Sequence, residues 1–151
     1  MKTLFLLPIL LLSLISTSCW SETTDSAVIR EGLVYKKFSD TPFTGNAIGK
    51  LTGYARNGIQ EGEWSIYYNS GDLWKKGSYK NGKEEGEWTF FDERGYLKKK
   101  GSYKNGKEEG EWMDVYWWTE TVGGQSVRMK KEFRQNWQNG KTKGRRKKIK
   151  D

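Results

Sequence analysis

A short motif recurs along the chain with a fixed period, and this repetition restricts the possible folds more than any other feature. The sequence NGKEEGEW occurs at residues 81–88 and again at 105–112, and a variant, NGIQEGEW, occurs at 57–64. The first Asn of each copy thus lies 24 residues after the one before it. Because the glycines repeat as well, the motif indicates a repeated backbone conformation and not a catalytic site, which is normally built once.

The Asn-Gly pair in each copy predicts a tight turn between two β-strands. Both central residues of a type I′ turn need a positive φ, which Asn and Gly adopt at low steric cost. The flanking residues alternate in polarity as they do in strands, so each copy should form the centre of a β-hairpin. The predicted turn residues are Asn57, Gly58, Asn81, Gly82, Asn105 and Gly106.

Pairing outward from the turn at residues 81–82 predicts the contacts within one hairpin. Gly77 would lie opposite Gly86, and the ring of Trp88 would cover the bare backbone between them. Lys76 would lie opposite Glu87 and form an exposed ion pair, worth at most a few tenths of a kcal/mol. Structure alone would then explain the repeated glycines and acids.

The segments NSGD at 69–72 and DERG at 92–95 predict the return turns, since a Gly that ends a short polar stretch is typical of hairpin loops. All connections are then local. The sequence therefore predicts an all-β fold, a single-layer, up-and-down antiparallel sheet of repeated hairpins. Aromatic residues, 15% of the chain, would supply most of its apolar surface, because Leu, Ile and Val are dense only at the N-terminus.

The stretch GSYKNGKEEGEWTFFDERGYL at residues 77–97 resembles the bacterial variant of the MORN repeat, whose members read G-x-Y-K-N-G-K-x-E-G-x-W followed by aromatic residues and G-x-L. PFTG at 42–45 is similar to the start of such arrays, and the resemblance covers about residues 35–144. It implies a curved sheet of hairpins without catalytic residues. It also implies a function in binding a protein partner or lipid, or an antitoxin-type role.

The N-terminal segment has the features of an export signal. Lys2 precedes an apolar run at residues 4–15, which at about 1.5 Å per residue is too short to cross a hydrocarbon core of about 30 Å. Small residues then lead to Cys19, the only Cys of the chain, in a sequence that resembles a bacterial lipobox. We therefore expect a signal peptide and a lipidated Cys19 at the cell envelope, in the outer membrane if the cell has one. Ordinary secretion is the alternative, because the small residues also suit a standard signal peptidase.

These features divide the chain into four segments. They are the signal peptide at 1–18, the lipidated Cys and a flexible tether at 19–30, the hairpin array at 31–144, and a basic tail at 145–151. Residues 141–151 contain seven basic residues and one acid, whereas the body is nearly neutral. The tail would contact anionic lipid or glycan, or form a disordered end. Nucleic acid is not expected as a partner, because the chain is predicted to be exported.

Composition argues against an enzyme. The chain has no His, the commonest general base and metal ligand, and its single Cys excludes an intramolecular disulfide and a Cys-cluster zinc site. The pairs Glu85/Glu87 and Glu109/Glu111 resemble acid–base pairs, but their repetition favours a structural role. We therefore expect no catalytic residues, no metal and no cofactor.

The repeat is interrupted by a longer segment, MDVYWWTETVGGQSVRMKKEF, at residues 113–133. The next Asn-Gly pair follows 34 residues after the one before it, which is ten more than the period. Gly123 and Gly124 predict the tip of a longer hairpin. Its strands carry the candidate binding residues Tyr116, Trp117, Trp118, Arg128 and Lys130, to which Arg145 and Arg146 of the tail are added.

Two interpretations of this hairpin are open. It would either close the end of the sheet as a cap, which repeat arrays require, or bind a partner through its aromatic and basic side chains. Because neighbouring side chains on a strand point to opposite faces, one of Trp117 and Trp118 should lie on the polar face.

The expected function is that of an exported, membrane-anchored, non-enzymatic repeat scaffold that binds an unknown protein partner. A single-layer sheet leaves its aromatic face partly uncovered, and large exposed apolar patches often mark binding surfaces. The alternatives are a module that binds glycan, cell wall or anionic lipid, and an antitoxin- or immunity-type binding protein. EGEWSIYYNSG at 61–71 resembles the aromatic repeats of choline-binding wall proteins, although the Asn-Gly turn fits the MORN variants better.

Overall fold

The computed structural model describes residues 22–149, which form an all-β fold without a helix in that range. The signal peptide expected at 1–18 and the lipidation site expected at Cys19 lie outside the described residues. Within residues 22–149, no helix is long and apolar enough to span a membrane. The strands are β1 (Glu22–Thr24), β2 (Ala27–Arg30), β3 (Leu33–Lys36), β4 (Gly45–Ala47), β5 (Leu51–Arg56), β6 (Ile59–Tyr67), β7 (Leu73–Lys80), β8 (Lys83–Phe91), β9 (Leu97–Lys104), β10 (Lys107–Val122), β11 (Gln125–Gln138) and β12 (Lys141–Lys148).

Ten strands form one sheet, in which β4 to β12 follow one another in chain order. Each neighbouring pair from β4 to β12 is antiparallel, and β1 adds a parallel edge strand next to β4. β2 and β3 form a separate hairpin, which is tied to the sheet by a hydrogen bond of 2.8 Å from Val34 N to Gly58 O. The predicted up-and-down antiparallel sheet of hairpins is confirmed.

The strands extend into both segments that the sequence assigns to flexible ends. β1 and β2 lie within residues 19–30, where a tether is expected, and β12 continues to Lys148 within the expected basic tail. β12 pairs with β11 as far as Phe133↔Lys148. Strand pairing uses the backbone and leaves Lys and Arg side chains in water, so a run of basic residues does not by itself mark the end of a sheet.

Four hairpins of the sheet turn at an Asn-Gly pair with positive φ at both residues. The φ values are 50–52° at the four Asn residues and 72–79° at the four Gly residues. Such values identify tight turns whose twist matches that of the flanking strands. The turns are Asn57-Gly58, Asn81-Gly82, Asn105-Gly106 and Asn139-Gly140.

Two hydrogen bonds, which we call a turn clamp, fasten three of these turns to the preceding hairpin. The N–H of Asn105 donates to the Glu85 carboxylate at 2.8 Å. The N–H of Gly106 donates to the carbonyl of Glu84 at 2.9 Å. A charged acceptor strengthens the first of these bonds. The carboxylate bond recurs from Asn81 N to Glu61 at 3.0 Å and from Asn139 N to Glu109 at 2.8 Å.

Pairing within the hairpins departs from the prediction a few residues from the turn. The first pairs match, but Lys76 then faces Thr89 instead of Glu87. Gly77 alone lies opposite the three residues 86–88. The expected partners of both Gly77 and Lys76 are therefore wrong.

A β-bulge centred on Gly86 causes this difference. Gly86 has a φ of 72°, which a non-glycine residue rarely adopts. The shift of register recurs in the other array hairpins. Because the bulge displaces the pairing by two residues, side chains keep the faces that the sequence predicts even though their partners change. The corresponding glycines are Gly62, Gly110 and Gly144, with φ values of 69°, 72° and 78°.

The repeated carboxylates bind structural partners on the following strand. Glu87 Oε1 lies 3.0 Å from Lys100 Nζ, and not beside Lys76 as predicted. Glu111 Oε1 lies 2.8 Å from Arg134 Nη1. The other two acids that the sequence analysis considered, Glu85 and Glu109, each accept a hydrogen bond of a turn clamp. All four acids therefore link neighbouring strands.

Three buried tryptophans form the centre of the core, and each ring lies against a glycine of the preceding strand. A Cβ on Gly77 would lie 2.3 Å from Cδ2 of Trp88, so only glycine permits this approach. The indole N–H of Trp88 donates to the carbonyl of Ser78 at 3.1 Å. The equivalent ring–glycine pairs are Trp64 with Gly53 and Trp112 with Gly101.

Tyrosine and lysine side chains of the same sheet cover these indoles. The Tyr103 ring meets Trp112 edge-on, with the centroids 4.9 Å apart. The ammonium of Lys99 lies 4.3 Å from the Trp112 ring centroid and 2.6 Å from Glu108 Oε1. Burial, and then the nearby carboxylates, raise the pKa of Tyr103 to about 12. Long side chains thus shield the aromatic core while their charged ends stay near water.

Candidate binding surface

The hairpin of β10 and β11 extends beyond both of its neighbours in the sheet. β10 pairs with β9 only as far as Asp114, and β11 pairs with β12 only as far as Phe133. Residues 115–122 and 125–132 pair with each other and with no third strand, although Glu132 O also accepts a hydrogen bond from Ile149 N at the base; we call these residues the projecting arm. The tip lies at the Gly-Gly pair, which confirms the predicted long hairpin.

The arm is not the end of the sheet. β12 pairs with β11 and forms the edge strand, so the interpretation of this hairpin as the closing cap is corrected. The ten added residues lengthen β10 and β11 instead of forming a separate element. The arm is therefore an addition to an otherwise regular array.

The two tryptophans of the arm lie on opposite faces, as alternation along a strand requires. Trp117 packs against Tyr96 with the ring centroids 5.3 Å apart, and its indole N–H donates to the carbonyl of Leu97 at 2.7 Å. Trp118 lies on the other face, which is that of Trp112, and is 42% exposed. Trp117 therefore fastens the arm to the neighbouring return turn, whereas Trp118 presents its ring to solvent.

One face of the arm exposes a set of apolar side chains that we call the arm patch. The cross-strand pair of Trp118 and Met129 lies at its centre. Sequence reasoning identified two of the five members and missed three. The three could have been identified by counting every second residue along the strand from Trp118 and continuing on the paired strand beyond the Gly-Gly tip. The arm patch consists of Tyr116, Trp118, Val122, Val127 and Met129.

The two basic candidates of the arm are held by neighbours on the opposite face. The guanidinium of Arg128 lies 4.2 Å from the ring centroid of Tyr96. Lys130 Nζ lies 2.8 Å from Glu132 Oε1. The cross-strand partners of both residues lie on the same face as Trp117. The structure therefore separates these basic side chains from the exposed ring of Trp118.

Arg146 anchors the last strand to the base of the arm. It occupies the position that a buried Trp occupies in the three earlier repeats, seven residues after the turn Asn. Its guanidinium donates to Asp114 at 2.8 Å and to the Tyr116 hydroxyl at 2.9 Å, and it lies 4.6 Å from the ring centroid of Phe133. The bond to Tyr116 raises the pKa of Arg146, so its charge is retained. By contrast, the neighbouring Arg145 forms no ion pair within residues 22–149.

Two open troughs repeat on the polar face of the sheet. Trp64 also lines the first trough but is buried, so the lining residues offer hydroxyl and charged groups without an exposed aromatic ring. Sugar rings usually need both kinds of contact. The first trough, about 370 Å³, is lined by Glu63, Ser65, Lys76, Ser78, Glu87 and Thr89. The second, about 320 Å³, is lined by Glu87, Lys100, Ser102, Glu111, Met113 and Arg134.

Comparisons with known proteins add no assignment to this geometry. No family model, curated protein or solved structure matches the chain. Within the part of the chain that the structure describes, no group of three or more His, Cys, Asp or Glu residues is placed to hold a metal ion. The functional inference therefore depends on the geometry of this chain.

Proposed function

We propose that the protein is a non-enzymatic binding scaffold, exported and anchored to the cell envelope through lipid on Cys19, that binds a protein partner through the projecting arm. The arm patch is the observation that carries the proposal. Its side chains are 37% to 57% exposed and lie on an arm that pairs with no third strand within residues 22–149. An apolar surface displayed in this way is typical of interaction sites.

The composition of the arm patch favours a protein partner over a glycan. Trp, Tyr and Met are enriched at protein interfaces, and Trp and Tyr dominate measured hot spots. The polar troughs would be the alternative site for a sugar, but Glu87, which lines both of them, is already paired with Lys100 in the second trough. The MORN-like motif supports the scaffold role, and the lipobox-like sequence before Cys19 supports the anchor; both stay predictions.

A photocrosslinking residue at position 118 should give a specific adduct with one protein in intact cells, and the same residue at position 74 should give none. Trp74 is a matched control, because it is 41% exposed against 42% for Trp118 and lies on β7, away from the arm. Mass spectrometry identifies the captured protein. Trp118→Ala should then reduce recovery of that protein by roughly tenfold or more at an unchanged melting temperature.

Two outcomes would contradict this proposal. One is an equal yield of adducts at positions 74 and 118, which would mean random contact. The other is retention of the wild type on purified wall glycan with no adduct at position 118, which would favour the glycan-binding alternative.

A further inference from the structure

The last strand of the sheet has a strongly basic edge. β12 pairs with β11 on one side, and no strand within residues 22–149 pairs with its other side. All eight of its residues are exposed, six of them are Lys or Arg, and none is acidic. An open strand edge accepts an extended segment through backbone hydrogen bonds, unless its side chains repel that segment.

The interior strands show how this array binds a following strand. On β8, Glu85 accepts the N–H of Asn105, and Glu87 pairs with the ammonium of Lys100. β8 thus offers two carboxylates to a neighbour that brings an N–H group and a cation. On β10, Glu109 binds Asn139 N in the same way, and Glu111 binds Arg134.

Lys143 and Arg145 of β12 occupy the positions that Glu85 and Glu87 occupy on β8, so the charge is reversed at both. In addition, Lys147 stands where Thr89 stands on β8, directly opposite Lys100 of the following strand. A further strand of the array's own kind would bring Lys against Lys147, and like charges in opposed positions are destabilising. Within residues 22–149, no ion pair is formed by Lys141, Lys143, Arg145 or Lys147.

We infer that β12 docks an extended acidic segment of a protein partner, which adds to the sheet as an antiparallel strand with carboxylates beside Arg145 and Lys147. Charge complementarity selects an acidic segment, and the open backbone edge selects an extended one. The same charges disfavour a second copy of this array. The inference rests on the proposed function only in taking the occupant to be a protein.

A cavity beside the last turn leaves room for the partner's own turn. It lies where the next Asn-Gly pair would be clamped if the array continued, and it is open to solvent. Its basic side chains would favour carboxylates near the end of the docked strand. The cavity is lined by Lys107, Gln138, Asn139, Lys141, Thr142 and Lys143.

The chain itself supplies peptide probes for this edge. Residues 97–106, LKKKGSYKNG, form the strand and turn that follow β8, and replacing the four Lys by Glu produces LEEEGSYENG. The purified full-length protein should bind the acidic peptide at least about tenfold more tightly than the basic one in fluorescence anisotropy at fixed salt. The double variant Lys143→Glu/Arg145→Glu restores the residues of the interior strands and should reverse this preference. Its melting temperature should match that of the wild type, since both positions are exposed.

A backbone-methylated peptide separates strand pairing from simple charge attraction. N-methylation of alternate amides keeps the acidic charge but removes hydrogen-bond donors, so binding should fall by roughly tenfold or more. Equal binding of the methylated peptide would overturn the inference. So would binding of anionic phospholipid vesicles without binding of the peptide, or self-association of the wild type that the double variant abolishes.

The experiment also separates this inference from the proposed function. Failure of peptide binding, together with a specific adduct at position 118, would overturn the role of β12 alone. Peptide binding without an adduct at position 118 would overturn the binding role of the projecting arm alone.

Discussion

Single glycines in the repeat serve two physical purposes, although the sequence repeats both in the same way. Gly77 is limited by space, because a Cβ there would lie 2.3 Å from Cδ2 of Trp88. Gly86 is limited by conformation, because its φ is 72° while a Cβ there would meet nothing within 4 Å. The first glycine allows the tryptophan to lie on the sheet, and the second forms the bulge that brings the tryptophan there.

Substitution with the two isomers of alanine should distinguish these glycines. L-Ala at position 86 should lower the free energy of unfolding by about 1 kcal/mol, and D-Ala should not, because a D-residue favours positive φ. Gly77→Ala should cost about 1–3 kcal/mol, because the indole of Trp88 must move. Denaturant unfolding of semisynthetic protein measures both. Equal losses for the two isomers at position 86 would argue against the bulge conformation.

The tryptophan pair of the arm shows how far single residues of the candidate site were predictable. Alternation along a strand predicts that Trp117 and Trp118 face opposite ways, and the structure agrees. Which of the two tryptophans is covered depends on Tyr96. Tyr96 belongs to a different hairpin, so the local sequence around the tryptophans does not predict its position. Similarly, the anchoring role of Arg146 becomes visible only when the last repeat is aligned with the earlier ones.

At the level of strands and hairpins, the turn clamp links each element to the one before it. The Glu109 carboxylate accepts the N–H of Asn139 from a turn that lies 30 residues further along the chain. Glu111, two residues away on the same face, binds the side chain of Arg134 instead. Two similar carboxylates thus hold different parts of the following strand, its backbone turn and its side chain.

Hydrogen exchange at the amide of Asn139 should report the clamp directly. Glu109→Ala should speed exchange of this amide by roughly fivefold, because a bond to a charged acceptor at the surface is worth about 1 kcal/mol. Glu109→Gln should have a smaller effect, since the amide oxygen is a neutral acceptor. Glu111→Ala is the control and should leave the Asn139 amide unchanged. An equal change in both alanine variants would mean that the whole hairpin has loosened.

The strands, their faces and the pairs next to each turn were predictable from the sequence, whereas the pairing beyond the bulge was not. Asn-Gly turns and a period of two are local signals, so the hairpin centred on residues 81–82 followed from them. The bulge at Gly86 shifts the register by two residues, which keeps every side chain on its predicted face and so leaves no trace in the hydrophobic pattern. The ion pair of Glu87 was therefore assigned to Lys76 when its partner is Lys100.

At the scale of the whole molecule, the strand that follows the proposed anchor in sequence and the basic edge lie at opposite ends of the sheet. Cys19 precedes β1 closely in sequence, and β1 is the first strand in the sheet order, while β12 is the last. Nine strand spacings of about 4.8 Å separate these two edges by about 43 Å along the sheet. A partner bound at β12 would thus be held well away from β1, the strand that is nearest in sequence to the proposed lipid anchor.

Replacement of Cys19 tests the anchor. Cys19→Ser should release the protein into the soluble exported fraction, because no acyl chain can then be attached. Cell fractionation and labelling with a fatty acid measure the change. Ser18→Ala is the control, since it keeps the thiol and should leave the protein with the membranes. If Cys19→Ser still sediments with membranes and the wild type incorporates no label, the anchor assignment is wrong.

The turn clamps give the array a direction. In every clamp, the donors belong to the later turn and the acceptors to the earlier hairpin. An earlier hairpin can therefore form completely before its successor exists, whereas a later turn needs acceptors that are already in place. A chain synthesised from its N-terminus can therefore add one hairpin after another, each on acceptors that are already folded. Unfolding should begin at the C-terminal strand and proceed towards the N-terminus.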